Sequence, residues 1–158
     1  MVGAGTSQTI CSLSNFIQQN VQFIYFVIKP TSLTKNDSVL FSNPILNFSL
    51  VSASGENING NSVITPAQSL LVFNRLNTAG FFSADSVYGN VFTIFFTSDV
   101  QSTINLQGGV YGSKLFIGSE SLIINYTTPL LVPHQLDIYA SCTSIYKQTT
   151  TGMTKLVV

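Results

Sequence analysis

Residues Val91–Gly109, VFTIFFTSDVQSTINLQGG, hold two β-type runs, and a chain built around them has few folds open to it. In Val100–Gln107 the apolar residues Val100, Ile104 and Leu106 stand among Gln101, Thr103, Asn105 and Gln107. Spacing close to two puts one face of a strand in a core and the other in water. The run Val91–Thr97 is denser, with Phe92, Ile94, Phe95 and Phe96, and predicts a strand set deeper in a sheet. Ser98-Asp99 between the runs predicts a hairpin turn, and Gly108-Gly109 closes the second run.

The rest of the chain repeats short β runs cut by Gly, Pro, Asn and Ser. Gln22–Lys29 is the most apolar run, with Phe23, Tyr25 and Val27 on one face and Ile24, Phe26 and Ile28 on the other. A strand apolar on both faces belongs in the middle of a covered sheet, and Pro30 ends it because proline has no N–H for a ladder. Further strands are predicted over Val39–Phe41, Ile45–Ser52 (Leu46, Phe48 and Leu50 sharing a face), Val63–Thr65 and Ser69–Leu76. Ser113–Ile117 and Leu122–Thr127 read as a second hairpin. Leu136–Lys147 reads as one long strand with Leu136, Ile138, Ala140, Cys142 and Tyr146 on one side, and Met153–Val158 as an edge strand or arm. Met1–Gln8 is small and polar and predicts an arm without core residues, disordered or ordered by a neighbouring subunit. Ile10–Val21 has apolar spacing nearer three or four and predicts a short helix or an extended arm. Ala53–Asn61 is turn-rich and predicts an exposed loop tip.

Many short strands with little helix predict an all-β chain, an antiparallel two-sheet sandwich and most specifically an eight-stranded single jelly roll. At 158 residues the chain is expected to be one domain, with residues 1–20 as an N-terminal arm and 21–158 as the sandwich. The longest apolar run, Phe23–Ile28, is too short to cross a bilayer as a helix. The N-terminus has neither the basic residues nor the apolar run of a secretory signal.

Charge is the second constraint. Only 8% of the residues are charged, six acids against six bases, for a formal net charge of zero. The polar surface must then be Ser, Thr, Asn and Gln, whose desolvation costs less than that of Lys or Glu. Such surfaces suit proteins that lie against other copies of themselves or work outside the cell. The basic residues are scattered singly from Lys29 to Lys155, so no phosphate-binding cluster forms and direct nucleic-acid contact is not expected.

The chain offers little catalytic chemistry. His134 is its one histidine, and Asp137 three residues on would point to the other face of an extended strand. A loop-tip histidine ahead of a strand is the expectation. Cys11 and Cys142 lie far apart and outside any metal-ligand spacing, and the sequence leaves open whether they form a disulfide or remain thiols. Asp37, Glu56, Asp85, Asp99, Glu120 and Asp137 each occur alone, so no calcium loop is written here. Tyr88, Tyr111 and Tyr139 could form a sugar platform, although strand tyrosines ordinarily serve sheet packing. N-x-S/T triplets begin at Asn36, Asn47 and Asn125, about the number that such an Asn- and Ser-rich composition produces by chance. Accordingly no catalytic, cofactor-binding or metal residue is predicted, no cofactor, and no enzyme activity.

Taken together, the polar arm Met1–Gln8, the apolar strand Gln22–Lys29, about eight strands and the proline-punctuated lead into Pro133–Lys147 resemble the single jelly-roll coat and vertex (penton) proteins of icosahedral viruses. The resemblance implies a structural subunit of a virion whose partners are other copies of itself and other coat subunits. It carries no catalytic residues over. The arm is not basic, which implies no direct contact with the genome and a place at a vertex or over an internal membrane. The alternatives from the residues themselves are an extracellular, pilin-like filament in which a terminus such as Lys155-Leu156-Val157-Val158 completes the next sheet, and a lectin-like module binding sugar through loops such as Ser54–Asn61.

Overall fold

The computed structural model describes residues 1–32, 44–58, 63–69, 71, 91–96, 114–143, 145–149 and 152–156. They form an antiparallel two-sheet β-sandwich. Its strands are β1 (Gln8–Ser12), β2 (Asn20–Pro30), β3 (Ile45–Val51), β4 (Val91–Phe95), β5 (Lys114–Leu115), β6 (Ser121–Tyr126), β7 (His134–Thr143), β8 (Ile145–Thr149) and β9 (Gly152–Leu156). One sheet has the order β1-β6-β3. In the other, β2 is central, with β7 along one edge and β4 and β5 on the opposite edge. From β1 to β7 the chain changes layer at every step between described strands except β4 to β5. The strands β8 and β9 make a separate two-stranded ribbon.

The core follows from period-two patterning. On β2, Ile24, Phe26 and Ile28 are fully buried and face the other sheet, where Phe48 and Leu50 of β3 and Leu122 and Ile124 of β6 are fully buried in turn. Phe26 and Phe92 of one layer meet Phe48 of the other edge to face, with Phe26 and Phe48 centroids 5.0 Å apart at 90°. Edge-to-face pairs add to the value of the buried area itself. A bulge between Val21 and Phe23 lets Val21 and Ile24 both turn inward. On the far face of β2, Phe23 is buried outside this core and stacks on Phe95 at 5.0 Å.

The structure corrects several expectations. The predicted arm carries a core residue: Val2 is 7% exposed and belongs to the core cluster. Residues 1–7 run against the chain's own 126–134 segment, with Val2 and His134 exchanging backbone bonds at 2.8 and 2.9 Å, Gly5 N–H donating to Leu130 O and Tyr126 N–H to Ser7 O. Beyond it, residues 10–12 are strand and only Ser14–Phe16 is helical, as one 3-10 turn. Leu46 does not share a face with Phe48 and Leu50, because a register shift between Ile45 and Asn47 turns it outward to 51% exposure. The second predicted hairpin does not exist. β5 pairs with β2 and β6 pairs with β1 and β3, so the 116–120 turn crosses between layers. Residues 69 and 71, expected in a strand, are helical together with 66–68. A Thr65–Gln68 capping arrangement, with Gln68 Oε1 accepting from Thr65 N at 2.8 Å, starts that turn. The long strand predicted over 136–147 is two strands, β7 and β8. The partner run 100–107 of the 91–109 hairpin, with its turn, and the strand predicted at 39–41 lie outside the described residues.

Candidate assembly surface

The outer face of the β1-β6-β3 sheet is a continuous three-strand surface. Even positions of β1 and odd positions of β6 and β3 point to it, because Cys11, Leu122, Ile124, Phe48 and Leu50 point inward. The register lays out three cross-strand rows, Gln8–Asn125–Asn47, Ile10–Ile123–Ser49 and Ser12–Ser121–Val51, of which Ser49 is itself buried. None of these nine residues is charged. In the first row Gln8 Nε2 donates to Asn125 Oδ1 at 2.8 Å, and Asn125 Nδ2 donates to Asn47 Oδ1 at 2.7 Å. The amides thus satisfy one another across three strands, which lowers the cost of withdrawing them from water. Beside them Ile10 stands 63% exposed at the β1 edge.

Two of the three N-x-S/T asparagines, Asn47 and Asn125, are therefore strand residues engaged in this ladder, while Asn36 lies outside the described residues. No protein-family model matches the chain, and no curated protein matches it in sequence. The surface must accordingly be interpreted from its own chemistry.

The opposite outer face, on β2 and β7, is aromatic. Tyr25 and Tyr139 stack at 4.9 Å and 14°, and Tyr25 adjoins Phe23 at 6.3 Å. Tyr139 is half-exposed, and burial followed by the neighbouring Tyr139 charge pushes the Tyr25 phenol above its ordinary pKa. Around the pair, Ser141 Oγ donates to Gln22 Oε1 at 3.3 Å and Gln135 Nε2 donates to both Asp137 oxygens at 2.9 and 3.0 Å. Tyr88 and Tyr111, the other platform candidates, lie outside the described residues.

His134 is not at a loop tip. It opens β7, is buried, and its Nδ1 lies 2.7 Å from Val132 O. Asp137 faces outward from the same strand and bonds Gln135, so the two do not meet. Neither Cys11 nor Cys142 is in a disulfide. Cys11 sits under the β1-β6 ladder, where burial raises its thiol pKa against the opposing pull of the N-terminal amine. Among the described residues no three His, Cys, Asp or Glu side chains converge as metal ligands would.

Sequence reading missed Glu120. It is 3% exposed and folds back on its own turn, accepting Ile117 N–H at 3.0 Å and Gly118 N–H at 2.9 Å. A Gly-Ser-Glu turn after an apolar run reads as an exposed hairpin, and nothing in the local pattern marks the carboxylate as internal.

Proposed function

We propose that the chain is a non-enzymatic structural subunit, a virion coat or vertex protein, that self-assembles through neutral polar and aromatic faces. The observation that carries this reading is the uncharged outer wall of the β1-β6-β3 sheet, whose amides are already paired with one another. Interface cores are enriched in aromatic residues, as on the Phe23–Tyr25–Tyr139 face, whose charged members Lys29 and Asp137 lie toward its Pro30 end. A sandwich whose strands alternate between layers also supports comparison with jelly-roll subunits, where assembly is carried by faces and loops around an unbroken core. The subunit's partners are then copies of itself and other coat proteins, its place the virion.

The filament alternative would use a terminal strand as donor. Here the C-terminal strand β9 is already paired with β8, Ile145 opposite Leu156, so strand donation would first have to break that ribbon. Light scattering with negative-stain microscopy on one purified sample tests the proposal. Rings, pentamers or shells are expected. Filaments would favour the alternative, and a monomer that persists at high concentration would overturn both.

A further inference from the structure

β1 is the outermost strand of its sheet and pairs with β6 on one side only. Tyr126 N–H donates to Ser7 O at 3.0 Å, and Leu13 N–H donates to Glu120 O at 2.9 Å. With the register Gln8↔Asn125 to Ser12↔Ser121, these two bonds fix the phase of the antiparallel ladder. Ser7, Thr9, Cys11 and Leu13 turn their backbone groups toward β6, and Gln8, Ile10 and Ser12 turn theirs away. Among the described residues nothing bonds that outward edge, and all three residues on it are exposed. Elsewhere the chain meets its own edges. On β3, Phe48 exchanges backbone bonds with Ile64 at 2.9 and 2.8 Å, and Leu50 O accepts from Ile58 N–H at 2.8 Å. On β4, Thr93 N–H donates to Ser69 Oγ at 2.7 Å, and at the start of β7 His134 exchanges bonds with Val2.

Open edges are ordinarily guarded by a charge, a proline or a bulge. β1, QTICS, has none of these, and its register with β6 runs without a shift. The strand is also alike when read from either end. Ile10 stands at its centre with its side chain exposed, Thr9 and Cys11 flank it as small, partly covered residues, and Gln8 and Ser12 close it as exposed polar ones. The polar ends are complementary. Gln8 Nε2 is spent on Asn125, and among the described residues its Oε1 accepts nothing. Ser12 Oγ accepts from Ser14 N–H at 3.3 Å and keeps its hydroxyl hydrogen to donate.

We infer that two copies of this chain pair through β1, antiparallel about a two-fold axis at Ile10, and join their three-stranded sheets into one of six strands. This rests on the assembly reading above and names one of its contacts. In that register Ile10 lies opposite the partner's Ile10 and Gln8 opposite the partner's Ser12, and each outward backbone group of the strand gains a partner. The Ser12 hydroxyl then donates to the Gln8 oxygen across the joint, so the Asn47–Asn125–Gln8 row runs on into the second copy. The Ile123–Ile10 row does the same, which covers Ile10 on the side that β6 leaves bare. A backbone edge is matched by another extended strand, and this strand matches itself in both directions at once. The chain turns away at Gly5, φ +80°, and at the 3-10 turn Ser14–Phe16. Pairing therefore stops at the five residues of β1 and closes with two copies. So short an edge contact buries well under the ~800 Å² per partner of a standard interface, so the pair forms as concentration rises.

The test uses Ile10→Lys and Ile10→Glu, with circular dichroism and thermal melting to verify folding. Sedimentation velocity is run over a concentration series on the wild type, each variant and a 1:1 mixture of the two. The wild type is expected to show a two-chain species that grows with concentration, whether or not larger species follow. Each variant sets like charges opposite one another and should lose that species, and the mixture should regain it, because position 10 pairs with itself. A second measurement uses Ile10→Cys, carried with Cys11→Ser and Cys142→Ser. Paired copies hold the two introduced thiols on Cα atoms about 5.5 Å apart, within disulfide reach, so mild oxidation should give a covalent dimer. Leu46→Cys in the same background, exposed on β3 of the same sheet, should not. Lysine and glutamate variants that associate like the wild type, or equal crosslinking at positions 10 and 46, would overturn the β1 contact and leave the assembly reading standing. Variants whose mixture stays monomeric would overturn the two-fold register. A wild type that remains a single chain at every concentration would overturn both readings.

Discussion

Glu120 shows how one side chain can hold a turn that has no regular pairing of its own. Its carboxylate takes two backbone N–H groups that would otherwise be stranded between layers. Glu120→Ala is expected to cost about 1–3 kcal/mol in urea unfolding, and an unchanged midpoint would show that water replaces the carboxylate there. Phe48, fully buried where the two sheets meet, is expected to cost about 3–5 kcal/mol on replacement by alanine. Tyr126 is buried and shares a 2.9 Å hydrogen bond with the Thr9 hydroxyl. Burial outweighs that bond and raises its pKa, as burial also does for Cys11 and Tyr25. All three groups are neutral when protonated, so the stability they contribute is fully present below their unfolded-state values, roughly pH 8.5 to 10, and is lost as pH rises through the higher folded values. Unfolding free energy should therefore fall on the alkaline side, and Tyr126→Phe should remove part of that fall. An identical alkaline slope in the variant would contradict it. At this scale the sequence was legible where parity rules: alternation groups Ile24, Phe26 and Ile28 on one face, while which of the two apolar faces of β2 meets the other sheet is seen only in the fold. Val2 was not legible because its partner, His134, lies far along the chain, and Glu120 was not because a carboxylate folded back on its own turn has the same local pattern as an exposed one.

At the scale of elements, the existence of β2 and of β7 could be read from their long apolar and alternating runs, although the run over 136–147 divides into β7 and β8. The 114–126 region could not. A short run, a Gly-containing turn and a second run have the same pattern whether the strands pair or part, and only the partners of β5 and β6 tell the two apart. Gly118 is where they part: its φ is +91°, and a Cβ there would lie 2.8 Å from Ile17 Cδ1. Gly118→Ala should destabilise by about 1–3 kcal/mol, and a neutral effect in thermal melts would mean that the Ile17 side chain and the backbone both give way. The N-terminal segment makes a second prediction. Because Val2, Gly5 and Ser7 are bonded to the 126–134 stretch, deleting residues 1–7 should lower the melting temperature of the chain by itself. An arm that mattered only in an assembly would leave the isolated subunit's melting unchanged.

For the whole molecule, low charge and two-layer architecture were both legible, the first from composition and the second from strand count. How the strands are shared between the sheets was not, because β2 draws its partners from residues 91–95, 114–115 and 134–143. That distribution has a consequence for how the chain is made. β2 is the most apolar of the described strands and is made before every one of its partners, the longest of which, β7, ends at Thr143. At roughly 5–20 residues per second, synthesis leaves the edge that β7 will cover open for roughly 5–25 seconds, while β4 and β5 become available for the other edge earlier. Pairings this distant along the chain also form slowly once the chain is complete. The period of greatest aggregation risk is thus the interval before β7 arrives, and a host that makes this protein in quantity must shield one 11-residue segment throughout it.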